Sequence, residues 1–399
     1  MKFSQIFTAT ASLIIFDQAC SKLIEIERSH HFLKNEDLER IFGENADQTS
    51  KKDDKDKSCY QILQITDPQI GMRDQYGFVA TNFIGEKIGR EGYKDELNNV
   101  YKALDKVLAM EKNSQTFPKF IIITGDIINA YPWMPHRNSQ IQDMKKAFTD
   151  EKYKDLNILV IPGNHDIKKD FTAEEHEKLY VDNWGSSYYH FGDRGLGRNS
   201  SFETHYFALD SNLFRNTKNS SDRKAKALAD KQLKWFKRNV SKVFLRNKSK
   251  SKSKSLKNLI IFMHHPIYHH WPKESFQTYY YDTLPYEYRY AILDILEPIR
   301  RQGIDVHFYS GHLHTYNWSE KTNKWVNPEK ELSVTNTNKN LGKITQESSL
   351  ALSMNFYEKL SDKTPGFKDY ITDIGGGNFI SVCEGGKVNS KFLRFTDAW

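Results

Sequence analysis

The chain has 399 residues, 38% of them hydrophobic and 13% aromatic, with a formal net charge of +7. That length fits one large domain or two small ones and the composition supplies a core, while a mean hydropathy of -0.70 excludes a multi-span membrane protein. The positive charge does not by itself point to nucleic acid, because seven basic residues and no acidic one lie between Lys242 and Lys257, leaving the remainder close to neutral.

In chain order, Met1-Lys2 is followed by a diluted apolar stretch from Phe3 to Phe16 and by small residues at Ala19–Ser21. This predicts a signal peptide over residues 1–20 and hence a secreted or endomembrane location, with no transmembrane span in the mature chain. A tail grazing the membrane and a lipid anchor on Cys20 are the alternatives. Residues 21–57 are polar and charge-rich and read as a linker. Removal of the leader would leave Cys59 and Cys383, each in a β-like segment, and sequence leaves open whether they pair. Five Asn-x-Ser sequons, at Asn199, Asn219, Asn239, Asn247 and Asn317, permit glycosylation but arise easily by chance in such a chain.

From residue 58 to 399 the pattern is that of one domain. Gln61–Thr66, Phe120–Thr124, Leu156–Ile161, Leu259–Met263 and Val306–Ser310 are short apolar runs that read as buried strands. Between them lie helical periods: Leu97, Val100, Tyr101, Leu104, Val107 and Leu108 share one face, and further helices are expected near 139–149, 173–184, 223–240 and 286–302. Strands alternating with amphipathic helices predict an α/β domain with a largely parallel core. The Lys/Ser-rich segment at 246–257 reads as a solvated loop, with a docking patch for an anionic partner as the second reading.

Each predicted strand is followed by metal-binding residue types. Asp67-Pro68-Gln69 follows the first, Gly125-Asp126 the second, Gly163-Asn164-His165-Asp166 the third, His264-His265-Pro266 the fourth and Gly311-His312-Leu313-His314 the fifth. Strand carboxyl ends gather on one side of an α/β sheet, so the five segments should converge. Oxygen and imidazole donors suit Mn, Zn, Fe or Mg, and their number exceeds one tetrahedral site but fits two ions sharing a carboxylate. Taken singly, each segment is an ordinary turn composition; five in order are not.

This ordered set resembles the calcineurin-like metallophosphoesterase superfamily over about residues 58–318. The resemblance implies a four-layer αββα sandwich, two mixed β-sheets flanked by helices. It further implies two divalent or trivalent metal ions: Asp67 and His314 at the first, Asp126 bridging, and Asn164, His264 and His312 at the second. His165 would be the catalytic acid. His264 takes the ligand role by its place two residues before Pro266, and His265 then faces substrate or packs. The superfamily's usual Asp-x-His has Gln69 in place of His, a neutral and weaker donor that favours a harder ion at the first position. The chain shares Asp-Pro-Gln with a smaller branch of calcineurin-like phosphoesterase domain proteins, which it also resembles in Gly163–Ile167 and in Trp184-Gly185 with Tyr188-Tyr189. An arginine of that branch corresponds to Arg137, implying a grip on a non-bridging phosphate oxygen. Asn129 stands where phosphoprotein phosphatases have an Asp that orients the catalytic His and purple acid phosphatases have a Tyr ligand, so neither device is expected. Likeness to purple acid phosphatases persists more distantly in Ala208–Asp210, Gln232–Trp235 and Gly376–Phe379.

The implied activity is a metal-dependent phosphomonoesterase acting on a phosphate-ester substrate, with no nucleic-acid partner. A phosphodiesterase acting on nucleotides or phospholipid headgroups, and a binding protein with a retired site, are the competing readings. The aromatic-rich loop Tyr268–Leu284 is a candidate lid or recognition wall, with packing of its aromatics onto the domain as the alternative, and the loop Ala130–Arg137 after Asp126 offers Trp133, His136 and Arg137.

Overall fold

A computed structural model describes residues 59–72, 94–193 (except 113, 115, 135 and 169), 202–216, 223–249, 255–267, 283–316 (except 313), 342–352 (except 350), 355–358, 368–371 and 375–395 (except 384). The expected signal peptide and linker, the sequons at Asn199, Asn219 and Asn317, and the aromatics of the 268–282 loop lie outside the described residues.

The first sheet is ordered β13-β12-β1-β2-β3, from β1 (Cys59–Ile65), β2 (Pro118–Thr124), β3 (Ile158–Ile161), β12 (Gly376–Cys383) and β13 (Val388–Arg394). The second is ordered β4-β5-β6-β7-β9, from β4 (Tyr189–Asp193), β5 (Phe202–Leu209), β6 (Ser255–Met263), β7 (Asp305–Ser310) and β9 (Ile344–Ser348). Both are mixed: β1, β2 and β3 run parallel, as do β5, β6, β7 and β9, while β12, β13 and β4 are antiparallel to their neighbours. A small third sheet joins β8 (Thr315–Tyr316), β10 (Asn355–Glu358) and β11 (Lys368–Ile371).

The period of two along each strand divides the core into two clusters. Tyr60, Ile62, Phe120, Ile122, Tyr206, Phe262 and Ile380 point into the space between the sheets. Their neighbours Leu63, Ile65, Ile121, Ile123, Phe207 and Ile261 point outward to the helices. Helices α1 (Lys94–Ala109) and α2 (Arg137–Thr149) contact each other, and the later helices α4 (Ser211–Asn216), α5 (Arg223–Ser249) and α6 (Tyr286–Arg300), with the short α3 (Ala173–His176) touching α5, form a second packed group against the outward cluster. The expected four layers are therefore present. Of the face expected on α1, Val100, Leu104 and Val107 are fully buried while Leu97, Tyr101 and Leu108 are half-buried.

One expectation is corrected. The Lys/Ser-rich segment at 246–257 is not a loop throughout: α5 extends to Ser249, and β6 begins at Ser255. Val240 and Val243 carry the buried face of α5 past the expected end, and Asn247 ties its last turn down. The Asn247 Oδ1 accepts from Leu256 N at 2.8 Å and its Nδ2 donates to Gln302 at 2.8 Å. Asn239 donates to the Trp235 carbonyl at 2.9 Å. Both sequon amides inside α5 are thus already engaged.

Cys59 and Cys383 lie directly opposite each other in β1 and β12 and are joined by a disulfide. At the other end of the sheets, Gln64 of β1 donates to Thr124 Oγ1 (3.0 Å) and to the Ser310 carbonyl (3.1 Å), and accepts from Asn378 (3.2 Å). This buried amide stitches the two sheets together just below the converging strand ends.

Candidate metal centre

The turns after β1 and β2 are zipped together by backbone. Asp67 N donates to Gly125 O (3.1 Å), Gln69 N to Asp126 O (2.9 Å) and Asn129 N to Ile70 O (3.2 Å). From the second sheet, Gly311 N donates to His264 O at 3.0 Å. These bonds tie the end of β1 to that of β2 and the end of β6 to that of β7. Five of the eight non-glycine residues with positive φ among the described residues are candidate ligands: Asp67, Gln69, Asp126, His312 and His314. Left-handed backbone costs energy and persists where surrounding contacts enforce it, a pattern that clusters at functional sites.

Two glycines serve by being small. A Cβ on Gly163 would lie 2.1 Å from Asp126 N and Oδ1, and one on Gly311 would lie 1.7 Å from Thr66 Oγ1 and 2.5 Å from Asp67 Oδ2. Close approach of an earlier segment's carboxylate is what requires glycine at both positions.

Two groups of ligand atoms result, each within 4.8 Å of one another: Asp67, Asp126 and His314, and His264, His265 and His312. In the first, His314 Nε2 is 2.9 Å from Asp67 Oδ1. Gln69 donates to Asp126 Oδ2 at 3.0 Å, while its Oε1 is buried without a partner. An orphaned amide oxygen beside two carboxylates is the kind of donor a hard cation would complete. The groups meet at Asp126, whose Oδ2 is 3.4 Å from His264 Nε2. Asn164 joins them through its Oδ1, 3.2 Å from the same nitrogen.

Electrostatics give the same sign. Burial pushes the Asp126 carboxyl up, but His264 and His165 outweigh it and hold Asp126 below the usual carboxylate range. Asp67 is likewise lowered by His314 and His264 against its burial. Burial would lower His264, yet Asp126 and Asp67 raise it to about 9. The site keeps its carboxylates anionic and attracts positive charge. Donor types, the orphaned oxygen and the charge all fit divalent metal ions.

Backbone carbonyls orient the imidazoles, which residue identities do not reveal. His264 Nδ1 lies 2.8 Å from Thr124 O, and His165 Nδ1 lies 2.7 Å from Asn129 O. A carbonyl only accepts, so Nδ1 carries the hydrogen in both and Nε2 faces the centre. Asn129, where related enzymes have an orienting acid, orients His165 through its backbone instead. His165 Nε2 stands 4.0 Å from Asp126 Oδ2, and its backbone N donates to Asp126 Oδ1 at 2.8 Å. Asp166 braces the turn by accepting from Ile127 N (2.9 Å), Ile128 N (3.2 Å) and Gly163 N (2.8 Å).

Of the two candidate substrate contacts, Arg137 is corrected and His265 takes the packing alternative. The Arg137 guanidinium is buried, with Arg137 6% exposed, and it donates to Ala130 O (2.6 Å), His165 O (3.0 Å) and Asp166 O. These carbonyls occupy NH1 and NH2, so it clamps the turns that carry Asn129 and His165 and does not grip phosphate. His265, at 0% exposure, packs: its Nδ1 is 2.8 Å from Ser211 Oγ and its ring centroid is 4.3 Å from that of His312. Burial, with Arg215 and the neighbouring histidines, pushes it well below its ordinary value, so it stays a neutral imidazole.

A fold of two sheets with this donor set at their shared end defines a phosphoesterase-type metal site. The chain belongs to the calcineurin-like phosphoesterase family, whose model matches residues 60–316. Among curated relatives it is 24% identical to the Serine/threonine-protein phosphatase CPPED1 of Homo sapiens over 246 residues, 61% of this chain and 68% of that protein. It is 26% identical to the CPPED1 of Danio rerio over 140 residues, 34% of this chain and 41% of that one, so the match spans less than half of that relative. Two solved structures are looser matches: "GAP50 the anchor in the inner membrane complex of Plasmodium", at 13% identity and TM-score 0.47, covering 86% of this chain and 87% of that one, and the calcineurin-like phosphoesterase YfkN from Bacillus subtilis, at 11% identity and TM-score 0.38, covering 85% and 92%.

Proposed function

We propose that the protein is a metal-dependent phosphomonoesterase with a dinuclear centre bridged by Asp126. The observation that carries this is Asp126 itself, grouped with Asp67 and His314 and 3.4 Å from His264 Nε2, with His165 Nε2 at 4.0 Å. Asp67, Gln69, Asp126 and His314 would hold the first ion, and Asp126, Asn164, His264 and His312 the second. When bound, the ions supply Lewis acidity toward the phosphoryl oxygens and acidify a water. The residues do the rest. The Thr124 and Asn129 carbonyls fix which nitrogen of His264 and of His165 faces the centre. His165 Nε2 would serve the departing alkoxide as proton donor. Hydrolysis of serine or threonine phosphate, the activity in the relatives' name, is within this chemistry.

An oxidising compartment belongs to the same proposal, and the Cys59–Cys383 disulfide supports it. No helix among the described residues is long and apolar enough to cross a membrane.

The test is to strip the protein with chelator, restore Mn²⁺, Zn²⁺, Mg²⁺ or Fe²⁺ singly, and assay an aryl monoester beside its diester. Turnover restored by metal and reduced on the order of a thousandfold in Asp126→Asn is expected, with the monoester faster. A faster diester would select the phosphodiesterase reading, and a folded, metal-loaded protein without turnover would sink both.

A further inference from the structure

The loop leaving the bridging carboxylate sets two rings in register with a third, the His165 imidazole. Tyr131 stacks on the His165 imidazole with centroids 4.4 Å apart and planes at 28°. Trp133 stacks on Tyr131 at 4.9 Å and 3°. The Tyr131 hydroxyl lies 3.3 Å from His165 Nε2 and 3.5 Å from Asn164 Nδ2. The ladder therefore begins at the nitrogen that meets the leaving group and ends in an indole that is 68% exposed.

The loop is braced. Ala130 N donates to Gln140 Oε1 (3.0 Å), Ala130 O accepts from Arg137 (2.6 Å), and Met134 N closes a turn onto Tyr131 O (2.9 Å). Because Arg137 also holds His165 O, the platform and the acid are set by one guanidinium. Single exposed aromatics are ordinary on protein surfaces. An exposed indole whose plane is already aligned by a stacked phenol, on a loop tied to the active site, is a preorganised ligand face.

From these contacts we infer that Tyr131 and Trp133 form a recognition platform selecting phosphate esters whose leaving group is a flat aromatic ring. An ester oxygen within reach of His165 Nε2 has its next atoms passing Tyr131. Both Tyr131 faces are taken, so a ring one or two bonds further on lies across the edge of the ladder, where edge-to-face contact favours it over a saturated ring of equal size. The inference rests on the phosphoesterase reading and names the substrate class of the same site.

The test is calorimetric titration of the Mn²⁺-restored protein with benzylphosphonate and with cyclohexylmethylphosphonate, which are not hydrolysed, beside turnover of glycerol phosphate, which has no ring. Benzylphosphonate should bind about threefold to tenfold more tightly. That preference should disappear in Trp133→Ala and persist in Trp133→Phe. Equal affinity in the wild type, or a preference unchanged in Trp133→Ala, overturns the platform while glycerol phosphate turnover keeps the hydrolase reading. Aromatic preference without glycerol phosphate turnover supports the platform and counts against the general hydrolase. Binding of neither phosphonate removes both.

Discussion

At the scale of single residues, the proposed first metal position turns on Gln69. Its amide oxygen is neutral and its nitrogen is committed to Asp126. Gln69→Ala should weaken Mn²⁺ binding at that position tenfold or more, read by equilibrium dialysis with elemental analysis, and Gln69→His should raise the preference for Zn²⁺ over Mg²⁺. Unchanged stoichiometry and affinity in both variants would show that Gln69 is no ligand. The donors were legible in sequence because carboxylate, amide and imidazole are rare enough at five consecutive strand ends to stand out. The roles of Arg137 and His265 were not. A guanidinium spent on carbonyls and one gripping phosphate have the same letter, and only burial separates them.

At the scale of elements, the second sheet carries a buried titratable group away from the centre. His307 of β7 hydrogen-bonds Thr345 Oγ1 at 2.7 Å. Burial pushes its imidazole down to about 4, and the Asp305 charge recovers only part of that. In the unfolded chain the same imidazole takes a proton below its ordinary value near 6.5, while the folded one stays neutral. The stability it contributes is present above pH 6.5 and is lost as the pH falls toward 4. Between pH 6.5 and 5 that loss is about 2 kcal/mol. Denaturant unfolding of the metal-restored protein at a series of pH values should show a shallower acid slope in His307→Phe than in wild type. Parallel slopes would place the acid sensitivity elsewhere. The five donor-bearing strands and the main helices followed from the apolar runs and helical periods, yet β4, β5, β9, β12, β13 and the end of α5 did not. Lysine and serine in series look solvated, whereas Val243 and the Asn247 side chain keep the helix going.

At the scale of the molecule, the disulfide joins residues 324 positions apart and ties the first strand of the domain to the penultimate one. A cross-link closing so long a loop restricts the unfolded chain most, which sets an upper bound of about 5 kcal/mol on its contribution. Cys383→Ser should therefore shift the denaturant midpoint down under non-reducing conditions, with wild type in reductant following it. No shift in either would mean the pairing adds nothing to stability. The metal centre should survive in the variant at low denaturant, because Gln64 with Asn378 and Ser310 holds the sheets together at the opposite end from the cysteines.

Sequence by itself determined the five strands that carry the donors, the main helices between them, the metal-binding type of donor set and the identity of the family, because periodicity and side-chain chemistry are local properties. The tertiary structure alone decided that Thr124 and Asn129 orient the histidines through carbonyls, that Gln64 stitches the sheets, that Cys59 meets Cys383 and that Tyr131 and Trp133 stack out from His165. Every residue carries a carbonyl, and contacts between positions tens to hundreds apart leave no local mark, so these had to be read from where the chain brings them together.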